Sequence, residues 1–219
     1  MIIYFMRKIT DIYEEYKIMP NLQTHQLRVT AVAQQICDSL DVLVDRNSIL
    51  TACLLHDMGN IIKFKLDYFP EFNEPQGLVY WEEVQSDYIK KYGEDEHHAT
   101  IKIVKELGQS NLVASLIDVI DFKHVDENGH KMSIEEKICV YVDNRVSPHS
   151  IVSLYERAEE ARHRYKDHRN RIEDIEHMRF LEKLEVFEQE IFSHSTLKPE
   201  NITNESSFPI IESLREFQI

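Results

Sequence analysis

Apolar residues recur at steps of three and four along most of the chain, and no stretch alternates apolar and polar positions over the length of a strand. Residues 8–18 place Ile9, Ile12, Tyr13 and Tyr16 on one face and stop before Pro20. Asn21 reads as the cap of a second helix carrying Leu22, His25, Val29, Val32, Ile36 and Leu40. Asn47 or Ser48 opens a third, which ends in Thr51-Ala-Cys-Leu-Leu-His-Asp-Met-Gly-Asn60. Ala52 to Leu55 leave that segment no polar face, so it belongs inside the core. Further helices are predicted over 81–92, from His97 through Ile101 and Val104 to Gly108, and along Val113, Leu116, Ile117 and Ile120 to His124. Ser133 and Glu136 form a capping-box pattern ahead of Ile138, Cys139, Val142 and Val146. Helical spacing returns over 151–164 and 172–192, and a stretch rich in Ser, Thr, Asn and Pro precedes a short helix over 210–217. The chain therefore reads as all-α, with one domain over 1–194 and a linker plus short helix over 195–219. The aromatic and proline-rich stretch 64–80 reads either as a lid or substrate wall or as an ordinary loop packed over the core.

Composition narrows the function. A chain of 219 residues with 42% hydrophobic content can bury a real core. Only 5 glycines are present, and GxGxxG, GxxxxGK and GxSxG are all missing, which removes the usual support for dinucleotide, P-loop and serine-hydrolase readings. A net charge of −14 and a pI near 5.2 repel polyanions, so long nucleic acids and anionic membranes are not expected partners. A small phosphate compound remains open if a local cation outweighs that field. Cys37, Cys53 and Cys139 are odd in number, form no CxxC and lie in apolar helical patterns, as expected of reduced thiols in an intracellular protein. The apolar start, Met1 to Met6, is too short for a signal sequence, and no run is long enough to span a bilayer; a cytoplasmic protein is expected.

The candidate chemistry lies in residues that interrupt the apolar stripes. Asp57 ends a buried helix, and an uncompensated carboxylate there would cost several kcal/mol, roughly. A buried His56–Asp57 hydrogen bond and a shared metal ion both answer that cost. His25, His97, His124 and Asp143 are likewise set among apolar neighbours, His97 facing inward by periodicity and His98 one step off. Each has a bland explanation as a core residue. In the order His, His-Asp, His, His, Asp, on separate helices, they point to one metal centre. Imidazole and carboxylate without thiolate suit Mn, Fe, Co, Ni or Zn, as one ion or two. Two divalent ions against two carboxylates leave positive charge for a phosphate, and a coordinated water has its pKa lowered to about 7 in the best zinc cases.

This order and spacing resemble the HD superfamily of metal-dependent phosphohydrolases. His25, His56-Asp57 in Leu-Leu-His-Asp-Met-Gly, and Asp143 in Tyr-Val-Asp-Asn-Arg carry the likeness, over roughly residues 20 to 165. The resemblance implies an HD-type helical bundle in which these four residues ligate metal, with His97 and His124 matching the additional histidines of the dinuclear branch. Where many relatives have a lysine after the Asp-x-Gly, this chain has Asn60; Lys63 or Lys65 could substitute. The implied activity is hydrolysis of a phosphate mono- or diester in a small nucleotide-like molecule by a metal-bound hydroxide. Asp57 would bridge the metals, and Arg28, Lys63 and Arg145 are candidates for clamping phosphate. Two alternatives stand beside it: a di-iron oxygenase resembling inositol oxygenase, and a non-catalytic helical module in which the metal is structural. Substrate, metal count and oligomeric state are left open by the sequence.

Overall fold

The computed structural model describes residues 6–120, 132–164 and 174–219. They form ten α-helices joined by turns and short 3-10 segments, and the described residues contain only three isolated β-bridges and no sheet. The all-α expectation is thus borne out. None of these helices is long and apolar enough to cross a membrane.

Helix α1 (Ile9–Glu15) buries Ile9, Ile12 and Tyr13. Lys17 then turns the chain in the left-handed region, at φ 49°. Helix α2 (Pro20–Ser39) begins on Pro20 itself, whose missing N–H costs nothing in a first turn, so Met19 rather than Asn21 is the cap. Helix α3 (Arg46–Leu55) is capped earlier than its sequence suggests: the Asp45 carboxylate accepts from Ser48 N at 3.0 Å. Every residue from Ser48 to Leu55 is buried, as expected of a helix without a polar face. Three helices follow: α4 (Leu78–Tyr92), α5 (Glu96–Glu106) and α6 (Asn111–Asp118). Helix α7 (Ile134–Asp143) opens on the predicted capping box of Ser133 and Glu136.

The centre of the bundle is α3, packed against α2, α6 and α7, with α2 also touching α7. The 60–77 connection is pinned to α4. Gln85 Nε2 donates to the carbonyls of Ile61 and Phe64, at 2.7 and 2.9 Å. Trp81 Nε1 donates to Asn73 O, and buried Asn73 donates to Leu66 O. Helices α8 (Leu154–Arg164) and α9 (Asp174–Ser193) pack on each other, and α9 also packs on α7.

Helix α10 (Asn204–Leu214) starts earlier than expected because Thr203 and Ser206 cap it, and it carries Pro209 inside. It packs along α2. Beyond it, Phe217 O accepts from Ile9 N at 2.8 Å, and the main chains of Ile219 and Arg7 exchange hydrogen bonds at 3.0 Å. The segment 195–219 is therefore built into the bundle, with Ile202, Ser207 and Leu214 buried in it.

Candidate metal centre

Four side chains from three places in the fold converge. His25 comes from the second turn of α2, His56 is the C-cap of α3, Asp57 follows it, and Asp143 is the last residue of α7. His25 Nε2 lies 2.9 Å from Asp143 Oδ1 and 3.7 Å from Asp57 Oδ2. His56 Nε2 lies 3.3 Å from Asp143 Oδ1 and 3.6 Å from Asp57 Oδ1. The nearest donor atoms of His25, His56 and Asp143 all fall within 4.8 Å of one another, a group that could hold a metal ion.

Local structure explains the presentation of each ligand atom. His56 Nδ1 sits 2.8 Å from the carbonyl of Cys53; a carbonyl only accepts, so Nδ1 carries the proton and Nε2 faces the centre. Asp57 N donates to Gln26 Oε1 at 3.3 Å, tying the motif to α2 beside His25. Tyr13, from α1, donates to Leu54 O at 2.7 Å and steadies the last turn of α3. A Cβ on Gly59 would come 2.3 Å from Glu96 O and 2.9 Å from Thr100 N, so only glycine lets this turn lie against α5. Gly59 N also donates to Thr100 Oγ1 at 2.9 Å.

The electrostatics ask for a cation. Asp143 is the last residue of α7, at the negative end of its dipole, and His56 and Asp57 follow the C-terminus of α3, the negative end of that helix. Burial opposes charge on Asp143, but the hydrogen bond to His25 and the nearby charges of His56 and His25 outweigh it and hold the carboxyl well below its usual range. Burial likewise opposes charge on His56; the Asp57 and Asp143 carboxylates and the Cys53 carbonyl overcome it and lift the imidazole from 6.5 to about 9. Even so, His56 Nε2 is buried with no hydrogen-bond partner among the described residues, because Asp143 is near it without lying along a hydrogen-bonding direction. An imidazole nitrogen held that way, facing two carboxylates and a second imidazole, fits a transition-metal ion.

The family model for the HD domain matches residues 22–147, more than half of the chain. The chain belongs to the HD domain family. That family consists in general of metal-dependent phosphohydrolases. The match contains all four converging residues, while α8 to α10 lie beyond it. No curated protein and no solved structure matches the chain.

Of the other residues singled out in this HD domain chain, His97, His98, Lys63 and Arg145 lie outside the converging group. His97 is half-buried and hydrogen-bonded to Asp118 at 2.8 Å, outside the group of three; His98 is exposed. His124 lies outside the described residues. Lys63 is exposed and 3.7 Å from Glu96. Arg145 does not face the centre. Its guanidinium is buried and donates to Val152 O at 2.5 Å, Pro199 O at 3.2 Å, Ile202 O at 3.4 Å and the Tyr141 hydroxyl. The expectation of a phosphate clamp there meets a residue whose donors already hold the C-terminal segment in place. Gln26 was missed by sequence reasoning, although its position four after Leu22 and three before Val29 marks it as a polar residue on a buried face.

Proposed function

We propose that this chain hydrolyses a phosphate mono- or diester of a small, nucleotide-like molecule, with a divalent transition metal held by His25, His56, Asp57 and Asp143. The observation that carries the reading is the buried, partnerless Nε2 of His56 where, among the described residues, two carboxylates and a second imidazole meet. Nitrogen and oxygen donors without thiolate favour Mn, Fe, Co, Ni or Zn over Ca. Such an ion supplies Lewis acidity toward a phosphoryl oxygen and acidifies water. The protein's share is positioning. The Cys53 carbonyl orients His56, and Gln26 fixes the main chain at Asp57. Asp57 directs one oxygen toward each histidine, which supports a role for it in holding the metal or in taking a proton from an attacking water. A dinuclear form would add His97 and His124. Lys63, at the edge of the motif, is assigned to charge compensation of the substrate. Arg145 is assigned to structure.

Elemental analysis of the purified protein should find bound transition metal, and His56→Ala should lose it. The metal-loaded protein, at micromolar concentration, should release phosphate or cleave the ester in at least one member of a panel of nucleoside phosphates and cyclic nucleotides. Metal without hydrolysis across the panel would remove the enzymatic part of the proposal; a wild-type protein that binds no metal would remove all of it.

A further inference from the structure

We infer that Arg28 is the phosphate-binding cation of this site, a role that rests on the phosphohydrolase reading above. Arg28 stands on α2 three residues after His25, so the two side chains share a helix face. Both reach the same stretch of chain: His25 meets Asp143, and Arg28 Nη1 donates to Pro148 O at 3.1 Å. That bond is the one Arg28 makes among the described residues, and it goes to a neutral carbonyl. Among those residues no carboxylate pairs with this guanidinium, although the chain has 39 acidic residues against 25 basic ones.

The other cations named for the site are placed differently. Arg145 is saturated by carbonyls and Tyr141, and Lys63 is exposed beside Glu96. Arg28, by contrast, is half-buried, and that burial disfavours its charge. A partly desolvated guanidinium with one donor fixed and the rest unused is arranged to take a tetrahedral oxyanion through two parallel N–H bonds. It also supplies the local positive charge that an acidic protein needs to admit a phosphate. The Pro148 carbonyl holds the guanidinium in place before the anion arrives, which reduces the entropy lost on binding.

The test is calorimetric titration of the Mn-loaded protein with inorganic phosphate, with metal content measured on every sample. Arg28→Gln keeps an N–H for the Pro148 carbonyl and removes the charge. It should retain its metal and bind phosphate about 10- to 100-fold more weakly, the size of one charged hydrogen-bonded contact. Arg28→Lys should fall between the two, since it restores the charge without the paired donors. Equal phosphate affinity in wild type and Arg28→Gln would overturn the assignment and leave the hydrolase reading standing. Loss of metal in Arg28→Gln but not in Arg28→Lys would also overturn it, making the charge a structural support of the metal centre. A metal-loaded wild type that binds no phosphate would overturn it through the reading on which it rests.

Discussion

His56 shows how a single side chain is set between proton and metal. Its Nδ1 is spent on the Cys53 carbonyl, and its Nε2 looks into a region dominated by Asp57 and Asp143. Without metal, that region is best satisfied by a proton, which is why the imidazole titrates at about 9 rather than 6.5. The folded-state value is raised, so the stabilisation of the metal-free protein is complete below pH 6.5 and is lost as the pH rises through about 9. A metal needs the neutral ring, so it must displace that proton. Metal affinity should therefore climb by roughly tenfold per unit between about pH 7 and 9, if one proton is released, and level off above. Chelator competition across that range checks the slope, and a flat profile would mean that His56 does not ligate.

At the scale of the element, the turn that carries the His-Asp pair depends on what it lies against. Gly59 touches the first turns of α5, with Glu96 O and Thr100 N where a side chain would begin. Its φ of −96° is open to any residue, so the requirement is space and not backbone conformation. Gly59→Ala has to push α5 away from the turn. It should lose about 1–3 kcal/mol, as overpacked cores do, or roughly 2–12 °C in Tm for a chain of this length. Because the turn also carries Asp57, metal affinity should fall with stability. Unchanged melting and metal binding in the Gly59→Ala protein would show that α5 does not press on this turn.

For the whole molecule, the segment past residue 195 acts as a strap. Its carbonyls at Pro199 and Ile202 accept from Arg145, two residues beyond Asp143, and α10 lies on the helix that carries His25. The strap ends beside α1, whose Tyr13 supports α3. Truncation after Lys198 would remove Ile202 and Leu214 from the core and leave a buried guanidinium without two of its acceptors. The combined loss is on the order of 5 kcal/mol or more, comparable with the stability of an ordinary domain. Circular dichroism and metal analysis of the truncated protein should show unfolding together with loss of metal; a folded, metal-binding truncation would make the strap dispensable.

The helical class, the buried character of α3 and the His25, His56-Asp57, Asp143 order could be read in one dimension, because each depends on local spacing or on residue types that are costly to bury unless paired. The capping box at Ser133 was legible for the same reason. The task of Arg145 was not, since four of its contacts reach a helix neighbour and three distant carbonyls that the sequence does not place beside it. Nor was the packing of residues 195–219, whose polar composition suits a linker as well as it suits a capped strap. Local periodicity decides which face of a helix is buried; only the packing of α2, α3 and α7 decided which buried polar groups meet at one point, because that meeting is set by how helices far apart in the chain fit together.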